Sequence, residues 1–81
     1  MIHIQIHERL TKVFREIFED ASLEVKDEYN AKDIPGWDSL AHVNLTIAIE
    51  EEFGIRFLTA EIASFACVGD VKKVIQERTK V

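Results

Sequence analysis

The stretch GWDSLAHVNLTIAIEEEFG, residues 36–54, decides how the chain is read. Within it Leu45, Ile49 and Phe53 recur at every fourth position and Val43, Thr46 and Ala48 fill the flanks, the spacing that lines side chains along one face of an α-helix. The pattern predicts a helix from about Ser39 to about Glu52, stopped by Gly54. A second apolar stripe, Leu40, Val43 and Ile47, lies beside the first and runs towards Glu50 and Glu51. A stripe next to a core stripe is either additional core or a docking face, with Ile47 the residue most expected at the surface.

Towards the N-terminus, Ile6, Leu10, Val13, Phe14, Ile17 and Phe18 keep the same three-and-four spacing and predict a helix from about Ile4 to about Asp20. Its other face carries Glu8, Arg9, Lys12, Arg15, Glu16 and Glu19 and is expected to be solvated, with Glu8 placed four residues before Lys12 in the favourable order. From Ala21 to Asp38 the period is lost, and Pro35 both lacks a backbone donor and pushes Ile34 towards an extended conformation. This segment reads as a long loop held to the core by Leu23, Val25, Tyr29 and Ile34.

Towards the C-terminus, Thr59 reads as the cap of a short helix ending near Ser64 or Phe65. A last helix, about Val68 to Thr79, turns Val71, Val74 and Ile75 inward, has Asp70 in its first turn and ends on Arg78 and Lys80 to suit the helix dipole. Three longer helices and one short one predict an all-α four-helix bundle formed as a single domain over residues 1–81.

Composition narrows the function. A chain of 81 residues hides only roughly 60% of its unfolded surface, which leaves little room for a large enclosed active site. Fifteen acidic side chains against ten basic ones give a net charge of −5, which speaks against nucleic acid and for basic partners. The single Cys67 cannot form an internal disulfide, and no secretory leader pattern precedes the first amphipathic stretch, so a cytoplasmic location is expected. No segment approaches the roughly 20 apolar residues of a membrane span. Small size and polar outer faces lead us to expect a monomer.

Ser39 is the candidate site residue, since it stands after Asp38 where the loop ends and the central helix begins. A helix start exposes unpaired N–H groups and the positive dipole end, which favours a bound or attached phosphate. A Ser or Asp in that place is also simply a good N-cap. Other chemistries find less support. His3 and His7 are four apart, but neither His42 nor Cys67 is placed to complete a zinc site, so both histidines read as surface residues. The Ser39 segment lacks the second glycine of a nucleophile elbow. Residues 27–33 lack the ligand spacing and central glycine of a calcium loop.

Gly36-Trp37-Asp38-Ser39-Leu40, followed by the helix ending Glu50-Glu51-Glu52-Phe53-Gly54 and by Val68-Gly69-Asp70 at the start of the last helix, resembles the acyl carrier protein family over nearly the whole chain. The resemblance implies that Ser39 receives 4′-phosphopantetheine from coenzyme A through a phosphopantetheinyl transferase, that Asp38 helps present the serine, and that the protein itself catalyses nothing. It further implies that Leu40, Val43, Ile47, Glu50 and Glu51, with Glu52 and Glu61 nearby, face acyl ligases, synthases or acyltransferases with basic docking patches. Leu45, Ile49, Phe53, Ile62 and Val74 would be core residues that can part around an acyl chain.

Several positions depart from the family pattern. Ala41 and His42 stand where carriers of fatty acid synthesis usually have an acidic residue, Trp37 is more typical of specialised or polyketide-type carriers, and Cys67 replaces a frequent Ser or Thr cap. The implied function is an acyl carrier in fatty acid, polyketide or related lipid biosynthesis, in a specialised member of the family. An aminoacyl, D-alanyl or peptidyl carrier is the alternative, although Trp37 occupies the second glycine of the usual peptidyl motif. An unmodified acidic helical adaptor, with Ser39 only a cap, is the alternative from a different class.

Overall fold

The computed structural model describes residues 2–79 and contains four helices, α1 (His3–Ile17), α2 (Ser39–Phe53), α3 (Thr59–Ser64) and α4 (Val68–Arg78), with no strand among the described residues. The architecture is the expected all-α bundle. Ile6, Leu10, Val13 and Phe14 of α1 meet Leu45, Ile49 and Phe53 of α2 and Val68, Val71 and Ile75 of α4 in one buried core. Ile17, Phe18, Ile62 and Val74 pack at its edge and are only half-buried. Helix α3 buries no residue fully and closes one side of the bundle through Ile62.

Helix α1 stops three residues before the expected Asp20. Glu19 adopts a left-handed conformation (φ 52°), so its N–H turns back to the Glu16 carbonyl and the Asp20 N–H to that of Arg15. This is a Schellman closure with a glutamate in the position usually held by glycine. At the end of α2 the same closure uses Gly54 (φ 66°), with the Ile55 N–H on the Glu50 carbonyl at 3.1 Å. Helix α3 corrects the reading of Thr59, which is the first helical residue rather than the cap. Leu58 precedes it, and the Glu61 carboxylate reaches back to accept the Leu58 N–H at 2.8 Å.

The connection over residues 18–38 is fastened at both of its sides. Val25, Ile34 and Trp37 are buried, and Leu23 and Tyr29 pack against the core. Ile34-Pro35-Gly36-Trp37 forms a tight turn in which the Trp37 N–H bonds the Ile34 carbonyl at 3.2 Å and Gly36 takes φ 89°. Proline followed by a glycine of positive φ is the signature of a type II turn. Farther back, the Tyr29 and Asp27 carbonyls accept the N–H groups of Val68 and Gly69 at 2.9 and 2.8 Å. The loop backbone thereby caps α4, whose Cys67 offers no side-chain cap bond. A Cβ on Gly69 would sit 3.3 Å from the Asp27 oxygen, so the close approach favours glycine there.

Three side chains read as surface are engaged in tertiary contacts instead. Arg9 pairs with the Glu52 carboxylate at 2.8 Å and lies over the Phe53 ring. Arg15 donates to the Leu23 carbonyl at 2.8 Å. His7 is half-buried, with Nδ1 at 2.6 Å from the Lys72 amine. The His3 side chain and Lys80 lie outside the described residues.

Lys72 itself is buried, with its ammonium on Asp27 at 2.5 Å as well as on His7. A buried cation deprived of its anion keeps the desolvation cost without the compensating attraction. Asp27→Asn is therefore expected to lower the unfolding free energy by about 1–3 kcal/mol, seen as a reduced urea midpoint at unchanged slope. Adding Lys72→Met should recover part of that loss, because it removes the buried charge.

Candidate functional site: the start of α2 and the groove beside it

Asp38 has an extended backbone (φ −107°), and its Oδ1 accepts the Ala41 N–H at 2.8 Å while its carbonyl accepts the His42 N–H at 2.8 Å. These are the two bonds of an N-cap. Asp38 caps α2, and Ser39 is the first helical residue, exposed to solvent. Among the described residues no hydrogen bond engages the Ser39 hydroxyl. It sits at the positive end of a 15-residue helix, where a phosphate ester is electrostatically favoured.

The residue before the cap is fixed by aromatic packing. The Trp37 indole meets Phe14 edge-on, with centroids 5.5 Å apart at 81°, and stacks on the His42 ring at 6.0 Å and 20°. Its Nε1–H donates to His42 Nδ1 at 3.1 Å, and His42 Nε2 lies 3.0 Å from the Ile62 carbonyl. An indole nitrogen only donates and a carbonyl only accepts, so these partners assign the neutral imidazole with its proton on Nε2. Phe65 meets the His42 ring edge-on at 6.4 Å and in turn packs on Phe57 at 5.2 Å.

A groove of about 570 Å³ opens directly beside the serine, within the roughly 300–1,000 Å³ of small-molecule sites. Trp37, Ser39, His42 and Val43 form one wall, and Ile62 and Phe65 the other. Of the five residues expected to part around an acyl chain, Ile62 alone lines this groove. Leu45, Ile49 and Phe53 are sealed in the core at 1%, 0% and 8% exposure, and Val74 is half-buried. Trp37 and His42 were visible in the sequence as departures from a pattern, with nothing local to say that they bond each other.

The expected partner face divides in a similar way. Leu40, Val43 and Ile47 are exposed at 71%, 50% and 48%, so the second stripe of α2 is surface and not core, with Leu40 more exposed than Ile47. Glu51 is exposed as well. Glu50 turns inward to accept the Phe57 N–H at 2.8 Å, Glu52 holds Arg9, and Glu61 pairs with Arg78 at 2.5 Å. The described residues contain no cluster of His, Cys, Asp and Glu able to hold a metal ion.

The structure superimposes on the solution NMR structure of the holo acyl carrier protein of Geobacter metallireducens with a TM-score of 0.82, at 35% sequence identity over 89% of this chain and 83% of that one. The chain belongs to the acyl carrier protein family. No protein-family model matches it. Membership makes the protein a carrier and not a catalyst, which suits a site consisting of an accessible hydroxyl at a helix start. Among the described residues, no helix of this acyl carrier protein is long and apolar enough to cross a membrane.

The division of labour at the helix start has a measurable consequence. Ser39→Ala should change the unfolding free energy by no more than about 0.5 kcal/mol, the range of surface substitutions that break no feature of the fold. Asp38→Ala should cost about 1 kcal/mol through loss of the cap. Urea unfolding of the two variants checks the assignment.

A pH effect follows on α3. The Leu58 N–H first, and then Arg78, hold the Glu61 carboxyl below its ordinary pKa. A depressed carboxyl stabilises the fold above its unfolded pKa, and the contribution disappears as pH falls through the folded value. Wild type should therefore melt above Glu61→Gln at neutral pH, and the gap should close on acidification below the usual carboxylate range.

Proposed function

We propose that Ser39 carries 4′-phosphopantetheine and that the protein ferries acyl intermediates as thioesters in a specialised lipid or polyketide pathway. The observation that carries this reading is the separation of roles at the start of α2. Asp38 satisfies the helix, which leaves the Ser39 hydroxyl exposed at the mouth of a groove of about 570 Å³. The residues present suit the group: the positive N-terminal end of α2 would favour a phosphodiester on Ser39, and the groove opens beside that serine.

In the modification Ser39 Oγ forms a bond to the pantetheine-bearing phosphorus of coenzyme A, the phosphoanhydride bond breaks, adenosine bisphosphate leaves, and the serine proton passes to a base of the transferase. Asp38 contributes by holding the first turn of α2, so that Ser39 is presented on rigid backbone rather than on a loop end. Once attached, the arm supplies a terminal thiol for the acyl thioester. A flexible tether then raises the local concentration of the cargo at each enzyme it reaches.

Partner enzymes are the phosphopantetheinyl transferase and acyl ligases, synthases or acyltransferases with basic patches. They would meet Leu40, Val43 and Ile47 as the apolar centre of the contact and Glu51 as its charged rim. Glu50, drawn onto the Phe57 N–H, contributes less directly. The specialised assignment rests on Trp37, Ala41 and His42, which replace the more usual residues around the serine.

Incubation of the purified protein with coenzyme A and a broad-specificity transferase should add one phosphopantetheine mass to wild type and none to Ser39→Ala. Absence of that gain with several transferases would overturn the reading and favour an unmodified adaptor. Subsequent loading by an amino-acid-activating ligase, but by no acyl ligase, would move the protein to the aminoacyl carriers.

A further inference from the structure

We propose that His42 is a specificity-determining residue that bolts the groove shut beneath Ser39 and restricts the carrier to short or compact acyl groups. The inference rests on the carrier reading of Ser39 and adds to it the class of cargo. His42, Trp37 and Ile62 line the groove beside Ser39, while the buried Leu45, Ile49 and Phe53 contribute nothing to its lining. An acyl chain held at the end of the arm that passes from this groove towards the buried Leu45 and Ile49 has to displace residues that line it, His42 among them.

The imidazole is bonded at both nitrogens to different elements. Nδ1 accepts the Trp37 indole N–H from the end of the loop at 3.1 Å, and Nε2–H donates to the Ile62 carbonyl of α3 at 3.0 Å. His42 therefore ties α2 to the loop and to α3 at once. Entry of a long chain between α2 and α3 has to break at least the second bond and leave half-buried polar groups unpaired, which is unfavourable in an apolar setting. The rings of Trp37 and Phe65 both contact the half-buried imidazole, the first stacked at 6.0 Å and the second edge-on at 6.4 Å. A short acyl group fits in the groove above this bridge without disturbing it.

The test uses holo wild type, His42→Ala and Trp37→Phe, each loaded enzymatically with straight acyl chains from two to about twelve carbons, and reads hydroxylamine cleavage of the thioester. In wild type, protection should grow over the shortest chains and then stay flat. In His42→Ala it should continue to grow with length, by up to about fourfold for each further methylene withdrawn from water. Trp37→Phe keeps a ring against Phe14 but frees Nδ1, and should fall between the two; it carries the test should His42→Ala fail to fold. A wild-type profile that rises steadily to twelve carbons, or variant profiles identical to wild type, would overturn the inference while leaving the carrier reading intact.

Nitrogen-15 NMR of the unmodified protein supplies an independent readout. The expected result is a neutral His42 protonated on Nε2 and a hydrogen-bonded Trp37 indole N–H. The opposite tautomer, or an indole N–H exchanging as freely as in solvent, would overturn the bolt without reference to any arm. Failure of Ser39 to accept an arm would instead overturn the carrier reading itself.

Discussion

Burial of the Trp37 indole is the constraint on which the site depends. The ring rests edge-on against Phe14 of α1 and stacks on His42 of α2, and so joins the end of the loop to both long helices. Because Asp38 and Ser39 follow directly in the chain, fixing the indole fixes the first turn of α2. The tight turn at Pro35 and Gly36 delivers Trp37 to that position, since a positive φ at residue 36 reverses the chain between the buried Ile34 and the buried Trp37. A side chain at residue 36 would have to adopt the left-handed region at a cost of about 1–2 kcal/mol.

The loop has a second task that its side chains do not reveal. Its carbonyls at Asp27 and Tyr29 take the first N–H groups of α4, so a helix with cysteine at its cap position needs no side-chain oxygen there. The Asp27 side chain meanwhile answers the buried ammonium of Lys72. One short stretch of loop thus caps a helix with its backbone and neutralises a core-facing cation with its carboxylate. A long connection survives in so small a bundle because both of its ends are bonded to helices that the core already holds.

The repeats of four were legible because helical periodicity is a local property: Leu45, Ile49 and Phe53, or Leu10 and Phe14, report their own burial through spacing alone. What stayed hidden was every partnership across the sequence. Lys72 sits in a polar run of α4 and shows no local sign that Asp27 and His7 will surround its amine. Glu50 and Glu52 belong to a run of three glutamates that reads as one solvated face, yet the first bonds the Phe57 backbone and the third pairs with Arg9. The site was half legible. Ser39 and Asp38 stood out at the helix start, but either could cap it, and only the backbone geometry distributes the two roles. The groove beside Ser39 was not legible at all, because Trp37 and His42, which line it, are joined by a bond that no periodicity encodes.

The acidic surface has a consequence for how a carrier of this kind meets its partners. Among Glu50, Glu51, Glu52 and Glu61, three carboxylates are engaged by the Phe57 N–H, Arg9 and Arg78, and Glu51 is the one without such a contact among the described residues. Carboxylates already paired contribute a weaker field to an approaching basic patch than unpaired ones do. The exposed stripe of Leu40, Val43 and Ile47 is correspondingly the larger resource on α2, and the position after Leu40 carries Ala41 rather than a further acid. Recognition through such a face depends on shape and apolar contact at its centre, with charge acting at the rim to orient the encounter. Val43 belongs to the exposed stripe and also lines the groove beside His42, so the surface proposed to meet partner enzymes and the groove proposed to receive the cargo adjoin along one helix.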